Sequence, residues 1–260
     1  MAQIIDGKMI ATQIKDELKE EVNKLEAQGI FPGLAVILVG NNSASQVYVK
    51  NKKTACEYIG IKSFSYELPE ETSEQELLEL IDTLNHDEAV SGILVQLPLP
   101  KHMDENKVIL AIDPKKDVDG FHPQNVGALC VGLSGFISCT PAGVIELLKR
   151  SHVEIAGKHC VIVGRSNIVG KPVSLLLLRE HGTVTICHSK TKNLTEHLKQ
   201  ADIVIAAVGI PKMIQGNQLK KGAVVIDVGI NRDETGKLCG DVDFASCEEV
   251  ASYITPVPGG

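Results

Sequence analysis

The sequence predicts an α/β protein of two α/β domains built on parallel sheets. Three observations carry that expectation. Six short runs, 33–40, 91–100, 159–164, 183–189, 201–209 and 222–229, are rich in Val and Ile and apolar on both faces. That is the pattern of strands buried in a parallel sheet with helices on each side. Segments of helical period alternate with these runs, so strands and helices come by turns. A glycine turn, "VGRSNIVGKP" at 163–172, closes one strand and opens one helix, the place where α/β folds bind nucleotides.

Taken in order, apolar residues recur from Ile10 at Ile14, Leu18, Val22 and Leu25, one face of a helix ending near Gly29. After the 33–40 strand, "SQVYVKNKKTACEYIG" places Tyr48 and Lys52 four residues apart on one helix face. Ser73 and Glu76 form a capping-box pattern before "LLELIDTL". The 91–100 strand holds a polar Gln96 in an apolar run and stops at two prolines. Thr140-Pro141 reads as an N-cap followed by a first-turn proline, and Pro172 opens a helix in the same way. "NRDETGKLCGDVDF" (231–244) has a turn at Thr235-Gly236 and reads as a small hairpin. Two strand signals among three helices precede residue 140 and four strands follow it. The expected domains are therefore 1–140 and 141–260, the second a Rossmann-like nucleotide-binding domain.

Composition narrows the classes. The net charge of −7 argues against a nucleic-acid partner. The seven cysteines show no C-x-x-C spacing, which argues against a zinc site or disulfide framework and suits a reducing cytoplasm. The N-terminus lacks the pattern of a signal peptide, and the apolar runs are too short to span a bilayer, so no membrane partner is expected.

The glycine turn departs from G-x-G-x-x-G. Gly164 and Gly170 flank Ser166, which stands where the second glycine belongs. Gly164 lets the chain turn, Gly170 lets the helix pack close, and the helix N-terminus offers N–H groups to phosphate. On this stretch alone an ordinary βα turn explains the residues equally well. The next strand ends "TICHSKT", with His188, Ser189, Lys190 and Thr191 and no acid. NAD-binding folds place Asp or Glu there. A cation at Arg165 with hydroxyls and no carboxylate suits a 2′-phosphate, hence NADP.

The remaining polar positions are open to two readings each. Tyr48 and Lys52 alone read as a half-buried aromatic and a solvated cation. A Tyr-x-x-x-Lys pair also serves short-chain dehydrogenases, but there it follows the glycine turn, and here it precedes Gly164. Gln96 must find partners if buried, and it could simply tie down its loop. "DPKKDVDGFHPQNVG" (113–127) offers Asp113, Asp117 and Asp119 without the remaining ligands of a calcium loop, so no metal is expected. A buried carboxylate gripping a paired N–H edge of a heterocycle is the sharper reading. The chain ends in a stiff "PVPGG" loop.

Together, "IIDGK", "GLAVILVGNNSASQVYVKNKKTACEYIGI", "GILVQLPLP", "KDVDGFHPQNVG", "CTPAGV", "VGRSNIVGKP", "CHSKT", "ADIVIAAVG", "GAVVIDVGIN", "GDVDF" and "YITPVPGG" resemble the bifunctional 5,10-methylenetetrahydrofolate dehydrogenase/cyclohydrolase (FolD-type) family. The matches cover nearly the whole chain in the family's order. The resemblance implies two α/β domains with a cleft between them, NADP as cofactor, a tetrahydrofolate-derived substrate and a cytoplasmic homodimer. It implies Lys52 as the catalytic lysine, Gln96 beside it, Tyr48 stacking on the pterin and Asp119 gripping the pterin edge. Leu97 and the Pro258, Gly259 and Gly260 loop join that substrate site. Gly164, Arg165, Ser166, Ile168, Gly170, His188, Ser189 and Ile230 are implied cofactor contacts. The family's terminal helix, which returns to the first domain, falls beyond Gly260, so its contacts are expected to be missing.

Hydride loss from the methylene carbon gives a cation spread over two nitrogens and needs no base, so orientation carries that step. Water attack on the cation needs proton transfer, which a lysine of lowered pKa, oriented by Gln96, can supply. A monofunctional dehydrogenase and a non-catalytic nucleotide-binding module are the alternatives.

Overall fold

A computed structural model describes residues 1–260, residue 44 only through its helical backbone. It divides into two compact units. One is Thr12–Ile137; the other joins Met1–Ala11 to Ser138–Gly260. The sequence reading kept the first residues with the first domain. They belong to the second because β1 (Gln3–Ile4) pairs with β11 (Tyr253–Ile254). The boundary falls inside α1 (Gly7–Glu26).

The Thr12–Ile137 unit holds a three-stranded parallel sheet in the order β3-β2-β4: Lys62–Leu68, Gly33–Val39 and Gly92–Val95. Alternate residues of β2 face opposite layers. Ala35, Ile37 and Val39 join Ile93 and Val95 against Leu77, Ile81 and Leu84 of α3 (Glu74–His86) and Val108 of α4 (Glu105–Ala111). Val36, Leu38 and Leu94 pack with Val49 of α2 (Ser43–Ile59) on the other side. The Ser73–Glu76 capping box starts α3. α5 (Pro123–Val131) closes this unit.

The second unit is a six-stranded parallel sheet, β1-β11-β8-β7-β5-β6. Its inner strands are β5 (His159–Val163), β7 (Ile203–Ala206), β8 (Val224–Asp227) and the short β11, with β6 (Thr183–Cys187) at one edge and β1 at the other. Helices α6 (Cys139–Arg150), α7 (Gly170–Arg179), α8 (Leu194–Gln200) and α9 (Phe244–Glu248) connect them. A short antiparallel pair, β9 (Asn231–Arg232) and β10 (Leu238–Cys239), is the expected hairpin. Helix α6 begins two residues earlier than Thr140-Pro141 suggested: Ser138 stands at its cap, and its hydroxyl donates to the Ile168 carbonyl at 2.9 Å instead of capping. Pro172 likewise lies in the first turn of α7, two residues after Gly170 opens it.

Chain order puts β5 in the middle, β6 on one side of it and β7 on the other. The sheet therefore reverses direction of growth at β5/β7, the switch point at which α/β sheets take ligands beyond their strands' carboxyl ends.

Candidate functional site

In the Thr12–Ile137 unit, the Asn42 side chain accepts from Ser45 N at 3.0 Å and starts α2. Val49 anchors that helix to the sheet, and Tyr48 and Lys52 follow one turn apart. Tyr48 is exposed and Lys52 half-buried. Lys52 Nζ donates to Gln96 Oε1 at 2.9 Å. Gln96 lies just past the end of β4, not within the strand, because only its backbone N–H continues the pairing, to Ile37 O at 2.8 Å. Its Nε2 donates to Leu97 O at 2.8 Å. With the NH₂ end of the amide committed, the acceptor end faces the ammonium.

The 113–122 loop brings in Asp119. Ile93 N donates to Lys116 O at 2.7 Å, and Asp117 bridges to Ile93, so the loop is fastened to β4. Asp117 is buried and accepts from His122 N and from Asn125 Nδ2, both at 2.8 Å. Asp113 accepts from Lys115 N at 2.9 Å. These two carboxylates serve the loop; Asp119 accepts no such bond among the described residues. Burial pushes its carboxyl up to about 6, against the pull of the Lys52 charge and with a further push from Asp117. Lys52, Gln96 and Asp119 thus form one electrostatic group: a cation, a fixed neutral acceptor and a carboxyl poised to ionise near neutrality.

The other unit builds the glycine turn. Gly164 has φ +137°, and a Cβ there would lie 2.2 Å from Ala207 O. A Cβ at Gly170 would lie 2.4 Å from Gly164 O, so only glycine lets the helix start this close to the strand end. Ser166 replaces the second fingerprint glycine by a different device. Its Oγ accepts from Val169 N at 3.1 Å and Gly170 N at 3.3 Å. The oxygen is used inside the turn, and only the hydroxyl hydrogen is left to point outward. Arg165 is exposed and makes no side-chain hydrogen bond among the described residues. Ile168 is 47% exposed.

After β6, His188 N donates to Thr191 Oγ1 at 2.9 Å and His188 Nδ1 accepts from Lys190 N at 3.1 Å. This tight turn leaves Ser189 exposed and carries no acid. Ile230, 65% exposed, follows β8. The Pro258–Gly260 loop folds back on the start of α1, where Gly7 N donates to Gly259 O at 3.0 Å. A close-packed strand–turn–helix, an unpaired guanidinium and a carboxylate-free second strand end fit a dinucleotide carrying a 2′-phosphate.

Sequence reasoning passed over two polar clusters. Asp117 with Asn125 is one; Asp227 and Asp241 with Asn231 and Thr255 is the other. The signal was present: Asp227 ends an otherwise apolar run, and Asp241 sits between glycine and valine. Among the described residues no helix is long and apolar enough to cross a membrane.

Similarity to known proteins agrees with this geometry. Residues 5–119 match the family "Tetrahydrofolate dehydrogenase/cyclohydrolase, catalytic domain", and residues 138–260 match its NAD(P)-binding domain. The chain is 67% identical over 260 residues to the "Bifunctional protein FolD" of Agathobacter rectalis, covering all of this chain and 93% of that protein. It superposes with a TM-score of 0.97 on a bifunctional FolD enzyme from Campylobacter jejuni, at 52% identity over 100% of this chain and 93% of that one. A Trypanosoma brucei dehydrogenase-cyclohydrolase, solved with NADP and an inhibitor, gives 0.94 at 42% identity, covering 100% and 91%. With both family domains matched in order along a chain whose two units carry the lysine group and the glycine turn, this protein belongs to the tetrahydrofolate dehydrogenase/cyclohydrolase family.

Proposed function

We propose that the chain oxidises 5,10-methylenetetrahydrofolate to the 5,10-methenyl cation with NADP, then hydrolyses that cation to 10-formyltetrahydrofolate. The observation that carries this reading is the 2.9 Å bond from Lys52 to an amide whose other end is committed, beside a carboxyl held near 6.

Asp119, once ionised, accepts from adjacent N–H donors on the pterin edge, charge-assisted bonds that fix the ring. Tyr48, exposed on the same helix face as Lys52, offers its ring for stacking. Leu97, next to Gln96, adds to the substrate contacts. Gly164, Ser166 and Gly170 with the α7 N-terminus would hold the NADP phosphates. Arg165, His188 and Ser189 would hold its 2′-phosphate, and Ile168 and Ile230 would give apolar contact. NADP, when bound, supplies the hydride acceptor.

The protein's part in the oxidation is orientation, since no proton moves. In the hydrolysis, water adds to the methenyl carbon. Lys52, brought to the amine by the cation of the bound methenyl group beside it, takes a proton from it. The C–N5 bond then breaks, N5 ends with one water proton, and the other is released. Gln96 holds Nζ on the reacting side through this exchange.

The enzyme acts as a homodimer in the cytoplasm, a reading supported by the family resemblance and by seven cysteines that are all free thiols. Its charge of −7 fits neither a nucleic-acid nor an anionic-membrane partner. Mixing protein, methylenetetrahydrofolate and NADP while following absorbance tests the function. The methenyl signal should rise with NADPH and then decay. NADPH formation without decay of the methenyl signal would leave a monofunctional dehydrogenase.

A further inference from the structure

Two buried aspartates at the carboxyl end of the second unit's sheet have no part in the chemistry above. Asp227 ends β8 and is 7% exposed; Asp241 follows β10 and is 0% exposed. Asp241 Oδ2 accepts from Val208 N at 2.6 Å and Gly209 N at 3.0 Å. Its Oδ1 accepts from Ile210 N at 2.9 Å and Asn231 Nδ2 at 2.8 Å. Asp227 in turn holds the segment that carries Asp241, accepting from Gly229 N, Asp241 N and Val242 N, each at 2.9 Å. The backbone is pressed against these carboxylates: a Cβ at Gly240 would lie 1.8 Å from Asp227 Oδ2.

The location gives this cluster its meaning. Residues 207–210 continue β7 past its carboxyl end, beside β5. Ala207 O is the atom that a Cβ at Gly164 would strike, so this loop forms a wall of the glycine turn at the switch point. Three consecutive free N–H groups at such a place would ordinarily make an anion-binding nest. Here all three are taken by one carboxylate, so the loop offers shape and apolar surface. Ile210 and Ile230, 50% and 65% exposed, are the residues presented: the first through its own N–H, the second as the neighbour of Asn231.

We infer that Asp241 is a positioning residue for the dinucleotide, holding Val208–Ile210 and, through Asn231, Ile230 in the form the cofactor meets. This rests on the NADP reading given above. A loop already fixed spares the ordering cost of binding. A carboxylate is the side chain for the task because every partner is a donor. An amide in its place turns an NH₂ group toward N–H groups that then lose their acceptor.

The experiment is direct NADPH binding, by fluorescence or calorimetry, to wild type, Asp241→Asn and Asn231→Ala. Thermal melts are run alongside, with cyclohydrolase rates on methenyltetrahydrofolate measured without NADP. The cyclohydrolase group lies in the Thr12–Ile137 unit, so it reports general damage separately. Asp241→Asn should raise the NADPH Kd about tenfold or more, the scale of a lost hydrogen bond to a charged group. Asn231→Ala removes one of four donors and leaves the three backbone N–H bonds in place, so it should raise the Kd less, about threefold, the low end of one hydrogen bond's net contribution. Cyclohydrolase should stay near the wild-type rate in both. If Asp241→Asn does not fold, Asn231→Ala decides. An unchanged Kd in folded variants, or a Kd and a cyclohydrolase rate that deteriorate in parallel, overturns the positioning role. Failure of the wild type itself to bind NADPH would instead strike at the cofactor reading.

Discussion

Asp119 should make folate capture by the free enzyme depend on pH in the acid range. Its carboxyl is pushed from 3.8 up to about 6, chiefly by burial. The pterin edge supplies donors, so the ionised form is the one that binds. For a group titrating near 6, about one tenth is ionised at pH 5 and about nine tenths at pH 7, so kcat/KM for methylenetetrahydrofolate should rise roughly tenfold between them. The same shift acts on stability with the opposite sign. Between 3.8 and about 6 the folded chain holds a proton that the unfolded chain has lost, so stability falls as pH rises through that window. Asp119→Asn removes the charge that is costly to bury. It should therefore stabilise the protein at pH 7, by about 3 kcal/mol at most from a shift of this size and nearer 1 after allowing for the partial exposure. The assay pairs initial rates from pH 5 to 8 with chemical denaturation at pH 5 and pH 7. Expected are a sloping wild-type profile, a flat and much lower profile for Asp119→Asn, and a denaturation midpoint for the variant that exceeds wild type at both pH values and by more at pH 7. A wild-type profile that is flat across this range, or a variant destabilised at pH 7, would refute the reasoning.

Lys52→Met keeps the stem and deletes the ammonium that Gln96 accepts from; cyclohydrolase should fall about 10²-fold or more while dehydrogenase survives in part, seen as methenyl product accumulating in the coupled trace. Arg165→Ala should raise the KM for NADP and leave that for NAD little changed, since the guanidinium is unpaired among the described residues and its expected partner is the 2′-phosphate; equal losses with both cofactors would count against it. Gly170→Ala places a methyl 2.4 Å from Gly164 O, an overpacking that should cost about 1–3 kcal/mol, read as a lower denaturation midpoint together with weaker NADP binding. EDTA should leave both activities intact, because Asp113 and Asp117 are already engaged by Lys115 N, His122 N and Asn125.

What the sequence made legible follows from the kind of physics each element uses. Strands β2, β4, β5, β7 and β8 are covered on both faces and announce themselves as unbroken apolar runs. Strand β3 did not, because only Phe64, Tyr66 and Leu68 reach the core, while the alternate residues, among them Ser63 and Ser65, leave it. Two-residue strands such as β1 and β11 are too short for any period to register. They form because a neighbouring strand offers its ladder, which is information held in the pairing and not in the segment. That is also why the first eleven residues change unit. The glycine turn was legible because close backbone approach admits one residue type. Ser166 was legible as the residue in the second glycine's place, but no spacing rule revealed that its oxygen would cap Val169 and Gly170 from within.

The polar residues divide along the same line. Lys52, Gln96 and Asp119 are separated by 44 and 23 positions, and nothing local in their surroundings demands them. Only the fold, or kinship with proteins that share it, makes them a group. Asp117, Asp227 and Asp241 look similar in sequence, each an acid beside valine or glycine, yet their carboxylates are consumed by backbone N–H groups and side-chain amides. Asp119, two residues from Asp117, accepts none of these bonds among the described residues; burial raises it to about 6, as it does Asp227, but Asp227 has three N–H donors to hold its anion and Asp119 has none. The distinction between a carboxylate that builds a loop and one kept for a ligand thus lies in its hydrogen-bond partners. Buried acids that already hold several N–H donors have spent their acceptor capacity on the fold. A largely shielded acid without them is unstable as an anion until something arrives to donate, and Asp119, within the field of Lys52, is such an acid.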